Sequence, residues 1–70
     1  MNVGDVVYCS TETKGEHLVE VSEMCDDIGE YCDLEGPGFI GALLMDEHGY
    51  NVHDEAIELC YTLDMVTRAN

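Results

Sequence analysis

Seven carboxylates, Glu20, Glu23, Asp26, Asp27, Glu30, Asp33 and Glu35, fall within 16 consecutive residues, and no Lys or Arg stands among them. A strand sets residues i and i+2 about 6.6 Å apart on one face. A helix sets i and i+3 or i+4 about 5–6 Å apart. Phosphates along one DNA strand are comparably spaced, with about 3.4 Å of axial rise per nucleotide plus the helical sweep. A rigid row of carboxylates can therefore stand in for a phosphate backbone and occupy a groove whose Lys and Arg serve nucleic acid. Asp46, Glu47, Asp54 and Glu55 make a second acidic patch. Ile28 and Tyr31, inside the row, are candidate apolar anchors, because interface hot spots favour buried aromatic residues over rim charges.

The other groups with chemical reach are four cysteines (Cys9, Cys25, Cys32, Cys60) and three histidines (His17, His48, His53). Thiols and imidazoles ligate zinc, but Cys25 and Cys32 are separated by six residues, where the usual zinc pairs have about two to four. For calcium, oxygen ligands are plentiful, yet no D-x-[DN]-x-[DN]-G loop exists, and Asp26-Asp27-Ile28-Gly29-Glu30 is not one. No metal or other cofactor is expected beyond weak, unselective binding of divalent cations.

Cys with His is also the material of a nucleophile–base dyad, and Asp26/Asp27 that of acid–base work. Against both, the chain has no Gly-rich phosphate loop, no G-x-S-x-G and no H-E-x-x-H. A chain this small also has little room for a deep pocket. We read it as non-enzymatic. With no secretion signal in view, the thiols are expected to be reduced, and Cys9 and Cys60, inside apolar segments, to act as small core residues.

Across 70 residues, 16 Asp and Glu face only two bases, Lys14 and Arg68, for a formal net charge of −14. Such a charge destabilises a compact state by self-repulsion, and a small domain has little stability to spare. The apolar fraction of 46% argues against disorder, so the charge is displayed on one folded domain spanning residues 1–70. That surface repels nucleic acid and anionic membranes and attracts basic proteins. The start, MNVGDVVYCS, has no basic n-region, and the longest apolar stretch, Phe39 to Met45, is far too short to span a bilayer. A cytoplasmic location is expected.

The elements that must hold these residues read mainly as strands. DVVYCS (Asp5 to Ser10) is a short β-rich run, and TETKGEH (Thr11 to His17) a polar turn. HLVEVSEM (His17 to Met24) puts Val19 and Val21 on one face and Leu18, Glu20 and Ser22 on the other. Cys25 to Gly38 is rich in Asp, Glu and Gly, with room for an irregular strand near Glu30 to Leu34. GFIGALLM (Gly38 to Met45) reads as a strand, followed by the turn DEHG, a strand at Tyr50 to His53 and a single turn at His53 to Ala56. Ile57 to Met65 alternates with period two, the clearest strand signal in the chain. The competing reading is α+β, with a short helix near residues 37–48 opened by Pro37 and closed by Gly49. Gly38 and Gly41 weaken that helix.

The order DVVYC, polar loop, HLVEVSEM, GFIGALLM, tight DEHG turn, GYNVH, one-turn element at DEA and closing IELCY resembles an SH3-like small β-barrel from Asp5 to Tyr61. The resemblance implies a mainly β fold, either a small barrel or a highly bent antiparallel sheet. The aromatic residues with which SH3 domains grip proline-rich peptides are largely missing, so that binding does not carry over, and fold alone licenses no function.

In size and charge the chain is also similar to the small acidic inhibitors that phages direct against CRISPR complexes and restriction nucleases. Those proteins share no motif from which residues could be carried over. The expected function is thus a nucleic-acid mimic: a monomeric anti-CRISPR or anti-restriction type inhibitor that binds a basic DNA- or RNA-binding cleft of a target protein, itself contacting neither nucleic acid nor membrane. If phage-encoded, it acts in the host cytoplasm. The alternatives are an acidic adaptor that recruits a basic partner without blocking nucleic acid, a zinc-stabilised module, and an acidic face kept for solubility.

Overall fold

Where β-branched and aromatic residues alternate with polar ones, the chain forms strands. The computed structural model describes residues 1–50 and 57–70. Its strands are β1 (Val6–Cys9), β2 (His17–Cys25), β3 (Gly38–Met45), β4 (Glu58–Thr62) and β5 (Val66–Ala69). All pairings are antiparallel and join the strands into one sheet in the order β4-β3-β2-β1-β5. The protein is mainly β. Among the described residues the sheet is open, with β4 and β5 at its two edges, and is not closed into a barrel. Two single-turn 3₁₀ elements, η1 (Ile28–Glu30) and η2 (Leu63–Met65), are the only helical pieces among the described residues.

Two local expectations are corrected, and one pair of competing readings is decided. Residues 37–48 hold no helix; Gly38–Met45 is the expected strand, hydrogen-bonded on both sides, to β2 and β4. Its glycines are where neighbours come closest: a Cβ added at Gly41 would fall well inside 3.0 Å of Val19 Cγ1. Residues 30–34 form no strand but η1 and a turn. The period-two run from Ile57 to Met65 is not one strand. It ends at Thr62, whose hydroxyl donates to the Asp64 carboxylate, a local bond of the kind that draws the backbone out of a ladder. The chain turns through η2 and returns as β5 against β1. The strand and turn expected at Tyr50 to His53 and His53 to Ala56 lie, beyond Tyr50, outside the described residues.

The inner face of the sheet buries Val7, Cys9, Val19, Val21, Phe39, Leu43 and Tyr61, with Ile57, Leu59, Met65 and Val66 packed against them. Phe39 stacks on Tyr61 with ring centroids 5.2 Å apart. One imidazole joins this core. His17 Nδ1 lies 2.7 Å from the Gly15 carbonyl, which can only accept, so Nδ1 carries a hydrogen. In the neutral ring Nε2 then accepts from the Tyr61 hydroxyl at 2.9 Å. Burial, with Cys9 nearby, pushes the Tyr61 phenol well above its ordinary range.

Candidate acidic interface

Two of the predicted carboxylates are placed by a β-bulge. Val21 stands opposite Gly41, but Glu23 stands opposite Ile40, so β2 carries one extra residue, Ser22, at this point. Without it Glu23 would share the core face of Val19 and Val21. With it, Glu20 and Glu23, three apart in sequence, both project from the outer face. Beyond them β2 ends at Cys25, and the remaining five carboxylates lie on the arm from Asp26 to Pro37.

This arm is folded back over the outer face and rooted there. Ile28 is 0% exposed and seats on Gly38, where an added Cβ would stand 3.2 Å from the Ile28 Cβ. The expectation of Ile28 as an apolar anchor for a partner is therefore corrected: the sheet already uses it. Its backbone N–H donates to the Gly36 carbonyl at 2.8 Å, closing the arm's neck. Asp27 caps η1, its Oδ1 accepting from Gly29 N at 2.9 Å and Gly36 N at 3.3 Å. Tyr31 is 53% exposed, and Glu23, beside its hydroxyl, pushes the phenol pKa up.

Asp26, Asp27, Glu30, Asp33 and Glu35 line one open basin of about 730 Å³. All seven carboxylates from Glu20 to Glu35 are exposed. The structure thus brings five of them together on the arm, with Glu23 and Glu20 on the outer face of β2.

The Ile28 anchor carries a direct expectation. Ile28→Ala should lower the unfolding free energy by about 2–5 kcal/mol, as for buried aliphatic residues cut to alanine. Urea denaturation measures this, and amide hydrogen exchange of Ile28 and Cys32 should accelerate with it. An unchanged midpoint would mean that the arm is held elsewhere.

The second patch is largely committed to turns. Asp46 Oδ1 accepts from Tyr50 N and His48 N, each at 2.9 Å, and these bonds hold its carboxyl below the ordinary range. Glu47 accepts from Gly15 N at 2.8 Å, tying the β3 turn to the β1–β2 loop. Asp54 and Glu55 lie outside the described residues.

Neutralisation is sparse. Arg68 pairs with Glu16 at 3.0 Å, the one salt bridge among the described residues, and also stacks over Tyr8, with Cζ 4.1 Å from the ring centre. The Thr67 hydroxyl and Arg68 together hold Glu16 below the ordinary carboxylate range. Lys14 is exposed and makes no salt bridge among the described residues.

Among the described residues, no group of three or more His, Cys, Asp and Glu side chains is arranged to hold a metal ion. A second groove, of about 440 Å³, runs between the Thr11–Lys14 loop and β4 and is lined mainly by apolar surface. Its buried polar groups, His17 Nε2 and Tyr61 OH, are bonded to each other. No helix among the described residues is long and apolar enough to cross a membrane.

Two features of the site went unread in the sequence: the Ser22 bulge and the burial of Ile28. The second had a signal, since Ile28 is one of only two aliphatic residues, with Leu34, between Asp26 and Glu35, and such a residue in an acidic run is a candidate root for a folded-back loop. Comparison with family models, characterised proteins and solved structures finds no match for this chain.

Proposed function

We propose that this protein is an acidic nucleic-acid mimic that occupies a basic DNA- or RNA-binding cleft on a target protein, of the kind found in CRISPR effectors and restriction nucleases, and excludes nucleic acid from it. One observation supports this reading best. Seven exposed carboxylates, from Glu20 to Glu35, meet no Lys or Arg among the described residues. An acidic face kept only for solubility needs neither this density nor a rooted arm. The field costs stability through self-repulsion, and a basic cleft relieves that repulsion on binding.

Long-range attraction speeds association and weakens with salt. Tyr31, exposed at the rim of the row, supplies apolar contact. The mimic acts as a monomer in the cytoplasm, since two chains of charge −14 repel each other.

The test is capture of basic nucleic-acid-binding proteins from a lysate by the tagged chain, at low and high salt, with and without added duplex DNA. The expected result is a salt-sensitive partner that DNA displaces. A partner that holds DNA and this chain together in a ternary complex would overturn mimicry in favour of an adaptor.

A further inference from the structure

Three thiols distant in sequence lie on the outer face of the sheet. The register fixes two of them. Cys25 stands opposite Gly38 across β2–β3, while Ile40 stands opposite Glu23 on one side and Cys60 on the other. Directly opposed residues share a face, so Cys25 and Cys60 lie on the same side of the sheet, flanking β3. The third arrives with the arm: Cys32 Sγ lies 3.5 Å from the Ile28 carbonyl, to which it donates, and Ile28 is seated on Gly38. Cys32 and Cys60 lie close enough that Cys32 helps to raise the Cys60 pKa. Cys32 and Cys60 are half-buried, Cys25 is buried, and all are free thiols. Cys9 belongs to the core on the opposite face.

We propose that Cys32 and Cys60 form an intramolecular disulfide that clamps the acidic arm to the edge strand β4. The oxidant is a low-molecular-weight disulfide such as oxidised glutathione. The Cys32 thiolate attacks one glutathione sulfur, forming a mixed disulfide and releasing one glutathione thiolate. The Cys60 thiolate then attacks Cys32 Sγ and expels the second. The protein loses two electrons and two protons, and oxidised glutathione becomes two glutathione thiols.

Burial, with Cys32 and Cys25 nearby, pushes the Cys60 thiol up to about 11. The thiolate fraction of Cys60 therefore rises about tenfold per pH unit below that value, and closure of the mixed disulfide should accelerate by a similar factor. The bond closes a ring from Cys32 to Cys60 that contains all of β3, which should raise the melting temperature by on the order of 10 °C. None of this depends on the mimic reading.

The experiment treats the reduced full chain with oxidised glutathione and a chelator at pH 7.5 and 8.5. Remaining thiols are then alkylated, and the bond is mapped by mass spectrometry after cleavage at Glu. The expected product is a monomer with Cys32 linked to Cys60, and with Cys9 and Cys25 alkylated. C25S should close as fast as the unaltered chain, whereas C32S and C60S should not close. A bond to Cys25, a bond between two chains, or a glutathione adduct on Cys32 that persists unclosed at pH 8.5 would each overturn the proposal. The mapping on the unaltered chain decides the matter even if a variant folds poorly.

Discussion

Gly38→Ala should abolish the cooperative unfolding transition of this protein at 25 °C. The added methyl would fall well inside 3.0 Å of the Tyr61 carbonyl oxygen and 3.2 Å from the Ile28 Cβ. The carbonyl is backbone, fixed in the β3–β4 ladder where Gly38 faces Thr62, and it cannot swing aside as a side chain would. The chain must either open that ladder or unseat Ile28. Overpacking alone typically costs about 1–3 kcal/mol, and removing a buried aliphatic contact about 2–5 kcal/mol. At about 0.05–0.15 kcal/mol per residue, a domain of this length has roughly 4–10 kcal/mol in all. Circular dichroism in a urea series reads the outcome. Gly15→Ala is the control, because its methyl would meet only the Glu47 side chain at 3.5 Å. A sigmoidal transition for Gly38→Ala near the unaltered midpoint would show that the strands can separate at little cost.

The second large effect concerns binding. Glu23→Gln, Asp26→Asn, Glu30→Gln, Asp33→Asn and Glu35→Gln, combined, remove five charges from the outer face and the basin while sparing Asp27, which caps η1. An exposed ion pair contributes about 0.2–1 kcal/mol. Five of them give roughly 1–5 kcal/mol, a loss of about 5-fold to 10³-fold in affinity for the basic partner. The dependence of affinity on salt should flatten with it, because fewer counterions are exchanged on binding.

Thermal stability should move the other way and rise, since the self-repulsion is relieved. Opposite signs in binding and folding separate electrostatic recognition from damage to the fold. Calorimetric titration of the captured partner at two salt concentrations, beside a melting curve, measures both. Unaltered affinity would exclude the arm as the contact surface.

Much of this architecture can be read in the chain, and the failures have physical causes. β1, β2 and β3 follow runs in which Val, Phe, Leu and Ile dominate, and short-range alternation is enough to place them. The break after Thr62 is invisible to alternation, because Leu63 and Met65 keep the period while the Thr62 hydroxyl and Asp64 bend the backbone away. Periodicity also carries no record of how edges meet, so a closed barrel and an open sheet look alike along the sequence. At the site, the acidic run is obvious in composition, but which carboxylates converge depends on two residues that are not acidic. Ser22 shifts the register of β2, and Ile28 pins the arm. Both effects arise only when strands are paired, and a single chain read linearly does not contain the pairing.

The way the arm is rooted separates two kinds of information. Its attachment runs through the Asp27 cap, the Ile28 side chain and the Ile28–Gly36 backbone bond, whereas Glu30, Asp33 and Glu35 are exposed and take no part in these bonds. Specificity and foldability are therefore written at different positions of the same short segment. The three outward sites can be rewritten with other charges or aromatic groups while the scaffold stays intact, which makes the arm a natural cassette for retargeting the protein to a different surface.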